Sequence, residues 1–137
     1  MSTQTLNGSC LCGAISYSVS GDPARFYHCH CSRCRKSSGT GHSSNLFVNE
    51  ATIAWTGDTG SIKSYKIPEA ERFTRTFCTH CGGPLPREIK EMRMVFIPAG
   101  TLDGEPEIRP QARIFSASKA SWSCMGDDIP SYPGYPE

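Results

Sequence analysis

The sequence predicts a mainly β domain, built of short antiparallel strands with little helix and stapled by metal. Three observations carry that expectation. Runs of alternating apolar and polar residues recur along the chain, the mark of half-buried strands. Thirteen glycines and ten prolines punctuate them, so turns come often. Seven of the eight cysteines fall in three tight groups. At 137 residues the chain is long enough for one core, expected as a single domain over 1–137 with its centre at about 8–135.

Taken in order, residues 1–8 read as a frayed start, and Gly8-Ser9 leads into Cys10-Leu11-Cys12-Gly13. A glycine directly after the second cysteine permits a tight backbone turn around a metal. Residues 14–20 place Ile15, Tyr17 and Val19 on one face and serines on the other, a strand ended by Gly21-Asp22-Pro23. Residues 25–28 form a short strand delivering the middle cysteines, and 33–38 one turn of helix stopped at Gly39-Thr40-Gly41. Residues 46–48, 52–55 and 63–67 read as further strands, with Gly57-Asp58 as a turn. Residues 72–77 alternate and run directly into Cys78, and Gly82-Gly83-Pro84 supplies a second tight turn. Residues 92–97 are the most apolar strand and 108–115 one more. Residues 119–125 read as a helical turn, and Pro130, Pro133 and Pro136 keep the tail irregular.

The cysteine groups are Cys10-x-Cys12, Cys29-His30-Cys31-Ser32-Arg33-Cys34 and Cys78-x-x-Cys81. Neighbouring thiolates at these gaps can share one metal, with Zn–S bonds of about 2.3 Å. Seven ligands divide as four plus three, in two ways. Cys31 and Cys34 can pair with Cys78 and Cys81, which strands Cys10, Cys12 and Cys29. Alternatively Cys10 and Cys12 pair with Cys78 and Cys81, leaving Cys29, Cys31 and Cys34 as one compact group. Spacing favours the second division. It closes a long loop, so that tie would stabilise much of the fold. The three-cysteine group would then hold a second zinc with one open position, for water, a substrate thiolate or a histidine. His28 and His42 are candidate fourth ligands, which would make a second structural site. His30 is badly placed, because adjacent strand residues point to opposite faces. His80 lies inside a knuckle and is expected to be exposed. Cys124 reads as an incidental thiol.

Bulk properties narrow the partners. Net charge is +1 and the sequence pI about 7.6, with Lys and Arg scattered apart from Arg33, Arg35 and Lys36. That argues against a nucleic-acid module. Residues 1–7 are polar and no run approaches the ~20 apolar residues of a membrane span. With Cys-x-Cys a poor disulfide former, a reducing, cytoplasmic setting and metal-bound thiols are expected.

Three segments resemble the glutathione-dependent formaldehyde-activating enzyme family: 8–13 (GSCLCG), 29–39 (CHCSRCRKSSG) and 77–83 (FCTHCGG). Ala99-Gly100-Thr101-Leu102-Asp103 and Ser118-Lys119-Ala120-Ser121-Trp122 are similar to its C-terminal signatures. The resemblance spans roughly residues 8–135. It implies an Mss4-like zinc fold, a structural zinc on Cys10, Cys12, Cys78 and Cys81, and a second, functional zinc on Cys29, Cys31 and Cys34. It implies carbon–sulfur lyase chemistry, in which glutathione condenses with formaldehyde to S-(hydroxymethyl)glutathione. Cys29, Cys31 and Cys34 are then the catalytic set. Thiol activation fits a soft, sulfur-rich site better than carbonyl polarisation. Arg33, Arg35 and Lys36 are candidate partners for the two glutathione carboxylates. Trp122 and Lys119 could line a pocket, but core packing and surface charge are the readings preferred for them. The competing readings are a thiol-binding module without turnover and a zinc-stapled interaction domain.

Overall fold

The computed structural model describes residues 3–123 and 129–136. It is mainly β, as the alternation predicts, but its two central strands are long. β1 (Gln4–Ser9) pairs antiparallel with β2 (Ile15–Cys29), which pairs with β3 (Ser43–Gly57). β4 (Ile62–Lys66), β5 (Thr74–Cys78) and β6 (Pro84–Leu85) make a separate three-stranded sheet. β7 (Arg87–Ile89) and β8 (Met94–Pro98) return to the first sheet, whose order is β1-β2-β3-β8-β7. β9 (Ala112–Ile114) adds in parallel to the end of β2, through Tyr27, His28 and Cys29.

The sequence suggests a break at Gly21-Asp22-Pro23, yet β2 runs through it. Register shifts between Ser20 and Asp22, and again between Pro23 and Arg25, absorb the proline, which cannot donate to a ladder. The partner strand bulges opposite, with Glu50 at φ 47°. The expected strands 14–20 and 25–28 are therefore one element, as are 46–48 and 52–55. Residues 119–123 form no helix; a single 3-10 turn, Ser116–Ser118, precedes them. Trp122 is exposed rather than packed in the core.

One face of the first sheet carries the main core. Leu6, Tyr17, Val19, Leu46, Val48, Val95 and Ile97 are buried there. The opposite face carries Asn45, Phe47 and Phe96, and it looks into a cavity. A second apolar cluster of Cys10, Ile15, Cys78 and Leu85 packs against Trp55 and Ile62. It joins the two sheets beside the first and last cysteine groups. No described helix is long and apolar enough to cross a membrane.

Candidate functional site

Strand ends deliver the cysteines. Cys10 follows β1, Cys78 closes β5, and the hydrogen bonds Cys10 N–H to Ile15 O (3.1 Å) and Cys78 N–H to Gly83 O (3.0 Å) fold each chain segment back on itself. Gly13 and Gly82 both take left-handed backbone, φ 81° and 74°, which glycine adopts without steric cost. These are the two turns that the sequence places beside metal ligands.

Cys10, Cys12, Cys78 and Cys81 bring their sulfurs within 4.8 Å of one another. The Cys10–Cys12 and Cys12–Cys78 sulfur separations are 3.7 and 4.0 Å. A tetrahedral ion with ~2.3 Å bonds to sulfur places its ligands roughly 3.8 Å apart, so this cage fits zinc. Backbone N–H groups of His80 and Gly83 donate to the Cys78 and Cys81 sulfurs at 3.3 and 3.4 Å. Such bonds offset thiolate charge. His80 itself points outward, as expected, and engages Asp58 at 2.8 Å and Ser61 at 2.9 Å.

Cys29, Cys31 and Cys34 form the second group, again within 4.8 Å of one another. Cys29 ends β2. Cys31 caps the short helix α1 (Ser32–Ser38), its sulfur accepting from the Cys34 N–H at 3.3 Å. The helix brings Cys34 back toward its partners and stops at Gly39. Behind it, Ser43 Oγ donates to Asn45 Oδ1 at 2.7 Å, and Asn45 Nδ2 donates to the Cys34 sulfur at 3.9 Å. Of the two divisions open from spacing, the geometry matches Cys10 and Cys12 with Cys78 and Cys81.

The two groups differ in surroundings. All three cysteines of the second line a cavity of about 890 Å³, and none of the first four does. Burial pushes the Cys29 thiol up to about 12. Burial also opposes ionisation of Cys31, but hydrogen bonds from the Cys34 and Arg33 backbone and from the Cys34 and Cys29 thiols together outweigh it and hold that thiol below its usual value. Three thiolates at neutral pH therefore call for a cation, and a soft divalent ion suits the set.

No histidine, aspartate or glutamate among the described residues joins that trio within 4.8 Å. His28 and His42 stack on each other instead, centroids 4.1 Å apart, and the fully buried His30 ring lies 5.3 Å from His42. Burial, reinforced by Arg113, lowers the pKa of His28, and burial with His28 lowers that of His42. His42 also lines the cavity. Arg33 lines it too, while Arg35 and Lys36 lie outside its wall. Arg75 and Arg87 join it from β5 and β7. No sequence motif marks these two; their place follows from the sheet faces. Cys124 falls outside the described residues.

A Halomonas elongata protein named "Putative glutathione-dependent formaldehyde-activating enzyme" is 36% identical over 86 residues, 58% of this chain. The match covers 54% of that protein, so the chain spans about half the length of the curated relative. A Rhodobacter sphaeroides protein of known crystal structure superposes with a TM-score of 0.56 at 16% identity, covering 78% of this chain and 98% of that one. That likeness concerns the fold alone. The family model for glutathione-dependent formaldehyde-activating enzyme matches residues 5–118, nearly every element from β1 onward. With its cysteine geometry, this places the chain in the glutathione-dependent formaldehyde-activating enzyme family.

Proposed function

We propose that the protein is a carbon–sulfur lyase that condenses glutathione with formaldehyde or a related aldehyde at the Cys29–Cys31–Cys34 site. The observation that carries this reading is the asymmetry between the two groups. Four sulfurs make a four-ligand cage outside the cavity lining, and three sulfurs face a cavity large enough for a tripeptide. Closed four-ligand zinc sites are structural, and three-ligand sites keep a position for chemistry.

When bound to the trio, zinc would lower the pKa of a substrate thiol, supplying the nucleophile at neutral pH. The chain supplies the rest. Ser43 and Asn45 hold Cys34 in place, and the Phe47 and Phe96 rings, 5.7 Å apart, wall the cavity. The thiol sulfur bonds to the carbonyl carbon, the carbon–oxygen π bond opens, and the thiol proton ends on that oxygen. No oxidant or leaving group is needed.

Turnover above the spontaneous rate, saturable in glutathione and lost in Cys31→Ser, is the expected result. Because thiols add to formaldehyde unaided, the comparison with the uncatalysed rate is essential. Wild type and Cys31→Ser both matching that rate would remove formaldehyde condensation as the function.

A further inference from the structure

Among the described residues, the cavity wall contains Arg33, Arg75 and Arg87 but no aspartate or glutamate. The three arginines are not equivalent. Arg33 is exposed on α1. Arg75 is already engaged, its Nη2 donating to Gly82 O at 3.0 Å and its guanidinium lying 5.5 Å from the Phe77 ring centroid. Arg87 is half-buried, its Nε is buried without a hydrogen-bond partner, and it makes no ion pair among the described residues. Burial lowers its pKa, partly offset by Glu91. A half-buried guanidinium with no carboxylate in direct contact carries a desolvation cost that a paired anion would offset.

Its nearest strand neighbours are apolar. Arg87 follows the fully buried Pro86 and stands in register with Phe96 across β7–β8, and Phe96 stands in register with Phe47 across β3–β8. One continuous wall therefore carries a cation and two aromatic rings. A low-dielectric wall strengthens any charge pair formed against it. The guanidinium fork matches a carboxylate through two parallel hydrogen bonds.

We propose that Arg87 is the anchor for a carboxylate on the thiol that enters this cavity, so that the site selects anionic thiols over neutral ones. The proposal rests on the thiol-binding reading above and extends it by naming the residue that discriminates. Arg33, at the helix, is a solvated and weaker contact.

Calorimetry on the zinc-loaded protein tests this with glutathione, glutathione dimethyl ester, 3-mercaptopropionate and methyl 3-mercaptopropionate. The wild type should bind each acid at least about tenfold more tightly than its ester, the size expected for a charge-assisted bond. Arg87→Gln should lose that preference by weakening the acids while leaving ester affinity within about twofold. Arg87→Lys should keep part of it, and Arg33→Gln most of it. An unchanged preference in Arg87→Gln, at equal zinc content and Tm, overturns the proposal. So does a wild type that prefers neither acid, or binds no thiol.

If glutathione fails to bind but the 3-mercaptopropionate preference depends on Arg87, the glutathione reading falls and the anchor stands. Should Arg87→Gln not fold, the wild type still decides. 3-Mercaptopropionate, but not its methyl ester, should shield Arg87 from phenylglyoxal in peptide mass spectra. Equal modification with and without the acid overturns the proposal.

Discussion

The sulfurs of Cys12 and Cys78 lie 4.0 Å apart although 66 positions separate them in the chain. That contact joins the knuckle after β1 to the end of β5, and so ties the two sheets through one group of ligands. On the proposed zinc assignment, the ion at this point contributes binding energy of about 10–16 kcal/mol. That equals or exceeds the whole stability of a typical domain. Cys78→Ser, or removal of both ions by a strong chelator, should abolish the cooperative thermal transition. Cys31→Ser should leave it within a few degrees of wild type, because its partners are local. Cys78→Ser melting like wild type would show that the apolar contacts suffice without the staple.

Tyr17 gives a pH signature. Its hydroxyl meets Thr101 Oγ1 at 2.6 Å, and Thr101 Oγ1 in turn donates to Pro98 O at 2.8 Å. Burial pushes the phenol from 10.0 up to about 12. The folded state thus holds its proton longer than the unfolded chain. The contribution is fully present below pH 10 and is lost as pH rises toward 12, on the order of 3 kcal/mol in all. Urea unfolding between pH 8 and pH 12 should show the gap between wild type and Tyr17→Phe shrinking across that window. Parallel curves would mean that the phenol is not held neutral by the fold.

Gly57 ends β3 at φ 94°, and a Cβ there would stand 2.1 Å from the Ala14 carbonyl oxygen. That oxygen also accepts from the Asp58 N–H at 2.9 Å, so it is not free to move away. Gly57→Ala should cost more than about 2 kcal/mol, combining left-handed strain with the clash. Gly60 is a fair control, since its nearest neighbour would be Asp58 Oδ1 at 3.8 Å. Gly60→Ala should change stability by no more than about 0.5 kcal/mol. Equal effects at the two positions would refute the close approach.

Phe115 lines the cavity with φ 55°, a conformation a bulky aromatic adopts only at a cost, and its side chain is 64% exposed. Strain held by an exposed residue points to use rather than packing. Asparagine tolerates the same backbone. Phe115→Asn should therefore leave stability unchanged or raise it by up to about 1 kcal/mol, while weakening glutathione binding in calorimetry. Destabilisation beyond about 1 kcal/mol would show that the ring is needed for folding.

Much of this was legible in the residues themselves. Alternation at Ile15, Tyr17 and Val19 places them inward, and all three are buried. The glycines after Cys12 and Cys81 mark the turns where φ becomes positive. Cysteine spacing divides the seven sulfurs, and the local Cys29–Cys34 segment closes on itself because the first turn of α1 returns Cys34 to Cys31. These are properties of short stretches, where residue type and period act directly on the backbone.

Strand continuity was not legible. Pro23 and Gly21 signal a break, and only pairing with a bulged β3 shows that the chain passes through. The cavity is likewise tertiary. Arg33, Arg35 and Lys36 are adjacent in sequence, yet only Arg33 reaches the wall, because a helix sends neighbours in different directions. Arg87 lies far along the chain from Cys34 and carries no motif. It reaches the same wall because β7 pairs with β8 and β8 with β3, which sets Arg87, Phe96 and Phe47 in one row. The sequence by itself determined which sulfurs exist to bind metal and which strands are half-buried, since both follow from local spacing. Only the tertiary structure decided which sulfurs face a cavity and which cation stands beside it, since both follow from long-range strand register.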